Sequence, residues 1–194
     1  MGDGFYFIAN NLALDFVNTL IVGERDEPLD LLRSSDDLVK WLSEVGLVPR
    51  KKSMVEGRHD QKLLERAINL RSELKKMAKA VSDGKRVPTS AIDAINDVLS
   101  RSAGHFKLLP AGSGYVTKFD IGKQDPPDPL LPVAQSAARL LSEGDLSLVR
   151  KCQREACVLY FYDTSKRHGR QWCSMSACGN RAKAAAHYKR AREK

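Results

Sequence analysis

The amino-acid sequence predicts a mainly α fold with a small β-hairpin: a helical N-terminal domain over residues 1–145, then a four-cysteine module over residues 146–194 that ends in a helix. Three observations carry this. Apolar residues recur at three- and four-residue spacing through four stretches of the first domain. Between two of those stretches the pattern changes to short apolar runs around Gly112-Ser113-Gly114. All four cysteines fall after residue 150, and at 194 residues the chain is long enough to bury one core and carry such an appended piece.

Taken in order, residues 10–22 place Leu12, Leu14, Phe16, Val17, Leu20 and Ile21 so densely that the segment is expected to be a buried short helix. Ser34-Ser35-Asp36-Asp37 offers an N-cap for a helix through Leu38, Trp41, Leu42 and Val45, ended by Gly46. Residues 60–82 give a longer helix, stopped at Asp83-Gly84, and Pro88-Thr89-Ser90 starts another bearing Ile92, Ile95, Val98 and Leu99. Lys107–Leu109 and Tyr115–Phe119 read as the strands of a hairpin, the only sheet expected in this domain. After Pro126, Pro127 and Pro129, a helix is expected from about Leu130 to Glu143, ending at Gly144.

Hydrophobic residues at 42% and charged residues at 29% are ordinary globular values and exclude a disordered or coiled-coil chain. The opening Met1–Leu20 lacks a basic n-region, and Asn10, Asn11 and Asp15 break its apolar run. Tyr6 stands where a myristoylation signal needs Ser or Thr, and no later stretch approaches a membrane span. A cytoplasmic protein without a membrane partner is expected. From Arg150 to Lys194, twelve Lys and Arg face three acids (Glu155, Asp163 and Glu193), a net of +9 that leaves −1 for the rest of the chain. Such asymmetry is the footprint of a nucleic-acid-binding segment joined to a neutral domain, although a solvated basic tail gives the same count.

Cys152, Cys157, Cys173 and Cys178 are spaced C-x4-C-x15-C-x4-C. Two close pairs separated by such a spacer let two turns converge on one tetrahedral Zn2+, for which thiolates are preferred ligands. Disulfides are disfavoured in a reducing compartment, and four unconnected thiols falling by chance into two symmetric pairs is the weaker reading. His168 and His187 are substitute ligands only if a sulfur is missing. A complete tetrathiolate leaves no open position for water, so the metal is expected to be structural, contributing about 10 kcal/mol or more to a module too small for its own core. Val158–Tyr162 reads as a strand, Lys166–Arg170 as a turn and Gln171-Trp172 as the return strand, a zinc-ribbon-like hairpin, with an Ala-rich basic helix over Asn180–Arg192.

The run Cys178-Gly179-Asn180-Arg181, with three cysteines before it and a basic helix after it, resembles the CGNR zinc-finger family. Leu12-Ala13-Leu14-Asp15-Phe16-Val17-Asn18-Thr19 is similar to the opening motif of the ABATE domain that precedes this finger in bacterial proteins. Together the two cover nearly the whole chain. The resemblance implies a stress-response transcriptional regulator whose finger binds DNA or RNA and whose larger domain senses a small-molecule effector.

Lys166, Arg167, His168 and Arg170 cluster at the expected hairpin tip, and Arg181, Lys183 and Arg190 lie on the following helix, whose N-terminal amides also favour an anion. The bland alternative is that these cations offset the tetrathiolate charge or keep the module soluble. Asn180 either reads an adenine edge or caps the helix or a thiolate, and Gly179 is read as permitting the tight turn beside Cys178. Tyr160, Phe161, Tyr162 and Trp172 either stack on bases or form the module's core. In the first domain, Asn11, Asp15 and Asn18 either line a polar ligand pocket or form a satisfied hydrogen-bond network, the reading favoured on physical grounds. Arg25, Arg33 and Arg71 are candidates for an anionic ligand but are expected to be solvated.

No P-loop, GxSxG, HExxH or dinucleotide fingerprint is present, so no enzyme is expected. The leading alternative to a nucleic-acid-binding regulator is a protein-interaction module docking an acidic partner; a thiolate redox sensor stands third. A finger this small is expected to need a homodimer for sequence-specific DNA binding.

Overall fold

The computed structural model describes residues 4–23, 27–48, 58–101, 105–111, 114–120 and 128–192, with every side chain among them except those of 58–60, 105–111, 114–120 and 189. These residues form six α-helices and three two-stranded antiparallel sheets, the mainly helical architecture that the sequence predicts.

Helix α1 is shorter than expected, Leu12–Val17. The Asn11 side chain caps it by accepting from the Leu14 amide at 3.1 Å. The Asn18 amide still donates to the Leu14 carbonyl at 2.9 Å, but the ladder stops at Thr19, whose amide and hydroxyl both turn back to the Phe16 carbonyl, at 3.2 and 2.8 Å. The β-branched residues that follow favour an extended chain. Leu20–Val22 is therefore strand β1, paired with β2 (Pro28–Asp30), so residues 10–22 are not one helix and the hairpin further along is not the only sheet of this domain.

The other helices lie where expected. A capping box between Ser34 and Asp37 starts α2 (Ser35–Glu44), and Gly46 follows it at φ 77°, a conformation that favours glycine. Helix α3 (Arg58–Ser82) is followed by Gly84 at φ 65°, and α4 (Thr89–Ser100) opens after Pro88. Strands β3 (His105–Ala111) and β4 (Gly114–Asp120) pair with Lys107 opposite Lys118, longer than the expected hairpin; Gly112, Ser113, Pro126 and Pro127 lie outside the described residues. Helix α5 (Leu131–Glu143) ends at Gly144, where a Cβ would stand 2.6 Å from the Leu140 carbonyl oxygen.

Helix α1 packs against α3 and α5, α3 against α2 and α4, and α4 against α5, with Trp41 of α2 fully buried on Phe16 at 4.9 Å between ring centroids. Arg71 of α3, expected from the sequence to be solvated, is not. It is buried and donates to both carboxylate oxygens of Asp30 at 2.6 Å and to the Thr19 hydroxyl at 3.0 Å, tying α3 to the small sheet. Burial pushes the Asp30 carboxyl up, but the Arg71 guanidinium and the Leu32 amide outweigh it and hold its pKa below the ordinary value. Arg33 remains exposed beside Asp37, and Arg25 lies outside the described residues.

After a single 3-10 turn at Leu146–Leu148, strands β5 (Val149–Lys151) and β6 (Tyr160–Tyr162) pair antiparallel, with Arg150 opposite Phe161. This corrects the expected ribbon. The partner of the Tyr160–Tyr162 strand precedes the first cysteine, and Gln171-Trp172 forms no return strand. A π turn at Met175–Gly179 runs directly into α6 (Asn180–Arg192). Strand β5 packs on α3 and β6 on α1, so Leu159, Tyr160, Phe161 and the four cysteines belong to the same buried cluster as Leu14, Phe16 and Leu74. Among the described residues no helix is long and apolar enough to cross a membrane.

Candidate metal centre and basic surface

Four backbone devices bring the cysteines together. The Cys152 amide continues the β5–β6 ladder by donating to the Leu159 carbonyl at 2.9 Å, and the Cys157 amide closes a turn onto the Arg154 carbonyl at 2.8 Å. Gln153 donates its amide to the Gln171 carbonyl at 3.0 Å, joining the two halves of the module. Cys178 sits in the π turn, which Ser174 caps by accepting from the Ala177 amide.

All four sulfurs are buried and lie within 4.8 Å of one another, and the thiols are free of disulfides. Cys157 and Cys173 are 3.9 Å apart and Cys173 and Cys178 are 3.4 Å apart. The edge of a sulfur tetrahedron around Zn2+ is about 3.8 Å for bonds of about 2.3 Å, so the donor set fits that ion in both size and softness. The Cys173 amide donates to the Cys152 sulfur at 3.4 Å, a backbone contact of the kind that stabilises a thiolate. Three of the thiols oppose one another's ionisation: hydrogen bonds from Cys157 and Cys173 draw the Cys152 pKa down, while the bonds to Cys152 and burial push those of Cys157 and Cys173 up. A divalent cation among them would favour thiolate at all four. With every donor enclosed, the site is structural, and His168 and His187 take no part in the sulfur cluster.

The module is clamped to the helical domain through the backbone of β6. Residues 160 and 162 point their peptide groups away from β5, an unpaired edge that would be costly if buried. Asn18 covers it with one carboxamide, donating to the Tyr160 carbonyl at 2.8 Å and accepting from the Tyr160 amide at 2.9 Å. The Tyr162 amide donates to the Ala9 carbonyl at 2.8 Å, and Asn10, held at φ 57°, donates from its side chain to the Tyr162 carbonyl and the Thr164 hydroxyl.

Asp163, fully buried, organises the loop that follows. Its carboxylate accepts from the Ser165 amide and hydroxyl and the Arg170 amide, with Arg150 at 3.8 Å. Burial pushes the carboxyl up, but these hydrogen bonds and the Arg150 charge outweigh it and hold it below the ordinary carboxylate value. Arg170 does not stand at the loop tip with the other cations. Its guanidinium donates to the carbonyls of Ile8, Trp172 and Cys173 and lies 4.2 Å over the Phe161 ring, so it is a strut between the metal loop and the N-terminal segment. Sequence reasoning missed Asp163 and Arg150; the legible signal was one aspartate inside a strongly basic tail.

Lys166, Arg167 and His168 are exposed at the loop tip, His168 at φ 47° with its ring against the Asp163 carbonyl. Arg181, Lys183 and Arg190 are exposed on α6. Of the amides leading into α6, those of Cys178 and Gly179 donate to the Ser174 carbonyl and that of Asn180 to the Met175 carbonyl, so these three are not free for an anion. The Asn180 side chain is exposed and bonds no described residue, so it caps neither helix nor thiolate. Gly179 is closely packed: a Cβ there would meet the Met175 sulfur at 2.6 Å and Trp172 at 3.0 Å. Tyr160 and Phe161 are buried and Tyr162 and Trp172 half-buried, so these aromatics serve as core, whereas Tyr188, 70% exposed on α6, was not singled out from the sequence.

Of the residues assigned to a polar pocket, Asn11 caps α1 and Asn18 clamps Tyr160. Asp15 accepts from the Ala9 amide at 2.9 Å, and burial pushes its pKa up to about 6 against the backbone bonds of Ala9 and Ile8 and the Arg170 charge. Asn11 does line a cleft of about 480 Å³ between α1 and α5, together with Gln135, Arg139 and Tyr162, but Asp15 and Asn18 do not. Because the folded-state pKa of Asp15 lies above its unfolded value, the native state binds the extra proton between pH 4 and 6, and Asp15 erodes stability as pH rises through that window. Asp15→Asn keeps the acceptor and removes the charge. Discounted for partial exposure, the variant is expected to be more stable than the wild type by about 1 kcal/mol at pH 7.5 and equal to it near pH 4. Denaturant titrations across that range check this; parallel stability curves would refute it.

A model of the ABATE family, described as a putative stress-induced transcription regulator, matches residues 10–144, and a model of the CGNR zinc finger matches residues 149–191. No curated protein is matched.

Proposed function

The chain belongs to the ABATE family and ends in a CGNR zinc finger, and from that premise we propose that it is a DNA-binding transcriptional regulator whose finger grips the phosphate backbone. The observation that carries this reading is α6: a basic helix that leaves the metal centre, packs on little beyond the π turn before it, and exposes nearly every side chain. A helix that buries so little of its surface gains little from a core, which leaves its exposed face free for a partner. The net charge of +9 over Arg150–Lys194 gives that partner's sign. Lys166, Arg167 and His168 on the loop and Arg181, Lys183 and Arg190 on the helix are the phosphate contacts; Arg170 is removed from that set by its structural bonds. The helical domain, bonded to the finger through Asn18 and Asn10, is the sensor, and the cleft beside Asn11 is the place for a small effector. Duplex binding by a homodimer in the cytoplasm completes the reading.

The test is fluorescence anisotropy with mixed duplex DNA at several salt concentrations. Five or six phosphate contacts give a log–log slope of roughly −5, and Lys166→Ala/Arg167→Ala is expected to reduce it by about 2 and weaken binding across all sequences. Retention of an acidic protein surface but no nucleic acid would instead favour the protein-docking module.

A further inference from the structure

Resting on the DNA-binding reading, α6 shows which of its faces meets the nucleic acid. At about 100° per residue, Asn180, Ala184 and Ala191 fall within an arc of about 40°. Lys183, His187 and Arg190 flank that strip on one side, and Arg181, Tyr188 and Arg192 on the other. Every one of these nine side chains is exposed. Ala182, which projects about 180° from the centre of the strip, is the single half-buried position among the described side chains of the helix. The strip therefore faces outward from the first turn, and the flanking cations stand on both sides of a floor of small side chains.

We infer that α6 lies in the major groove of duplex DNA with Asn180, Ala184 and Ala191 against base edges and the two flanking rows on opposite phosphate backbones, and that it selects A·T pairs. A helix with side chains is about 10–12 Å across and the major groove about 12 Å wide, so insertion requires a helix with most of its circumference free, and every described side chain of α6 except Ala182 is exposed. Alanine meets the thymine methyl, and asparagine pairs with the two adenine groups displayed there. Asn180 stands in the first turn, the position from which a recognition helix reads bases, and its carboxamide has no partner within the described residues. The π turn carrying Cys178 fixes the root of the helix to the metal centre.

The experiment uses the full zinc-loaded chain, a mixed duplex, an A·T-rich duplex and the same A·T-rich duplex with uracil in place of thymine. The expected results are tighter binding to the A·T-rich duplex, a loss of about 3- to 10-fold on replacing thymine by uracil, and displacement by methyl green but not by netropsin. Ala184→Glu, placing a carboxylate in the middle of the strip, is expected to weaken binding at least about 10-fold, and Ala186→Glu, with the same charge change toward the back, less than about 3-fold. Circular dichroism confirms that both variants keep their helix. Equal losses for the two variants, indifference to the thymine methyl, or displacement by netropsin alone would overturn the inference while leaving DNA binding standing. Failure of the wild type to bind any duplex would overturn the underlying reading and this inference with it.

Discussion

Chelating the metal from the intact chain is expected to lower the main thermal transition by about 10 °C or more, rather than to melt an isolated tail. A structural zinc site contributes on the order of 10 kcal/mol, as much as the whole stability of many domains. The sequence suggests a module standing on its own, whose loss would leave the helical domain intact. In the structure, β6 lies on α1 and β5 on α3, and Phe161 and Tyr160 fill the same core as Phe16 and Leu74. Losing the metal frees the chain around Cys152 and Cys157, in the segment that joins β5 to β6, and uncovers the apolar faces of α1 and α3. Cys173→Ser is expected to reproduce the effect, because Cys173 is the most enclosed of the four ligands. Differential scanning calorimetry checks both; an unchanged main transition beside a separate low-temperature one would show that the finger melts alone.

Asn18→Leu is expected to cost about 3 kcal/mol, large for one side chain of unchanged size. The carboxamide is 1% exposed and serves both the amide and the carbonyl of Tyr160, so an isosteric apolar residue leaves two buried backbone groups unpaired. Because the bond crosses from α1 to β6, the loss is expected to appear as faster hydrogen exchange in Val149–Tyr162 as well as a lower denaturation midpoint. A midpoint within 0.5 kcal/mol of wild type would mean that water replaces the amide and that the clamp is dispensable.

What the sequence made legible follows from the range of the forces involved. The four ligands were readable because coordination imposes a local spacing, and α2 to α5 because caps and apolar periodicity are local too. The end of α1 was missed since Leu20, Ile21 and Val22 look equally buried in a helix or a strand, and only pairing with Leu29 decides between them. The ribbon was misassigned for a similar reason: Tyr160–Tyr162 was recognisable as a strand, but its partner lies before the first cysteine at Val149–Lys151. Arg71 and Arg170 show the limit for charges. A cation's position in the sequence does not reveal a carboxylate 41 residues away or a carbonyl 162 residues away. The role of Asn18 depends likewise on the Tyr160 backbone, 142 residues away, whereas Asp163 organises its own loop through the amides of Ser165 and Arg170.

The central claim is that zinc organises the basic module into a nucleic-acid-binding surface, so that shape as well as charge is required. The measurement that tests it most directly is the affinity of the intact chain for duplex DNA by anisotropy, before and after chelation, with zinc content determined in the same samples. The account predicts one zinc per chain, salt-dependent binding with the metal in place, and a loss of at least about 10-fold on chelation at unchanged net protein sequence charge. Equal binding by the chelated chain would contradict it by showing that the +9 tail acts as a disordered polycation.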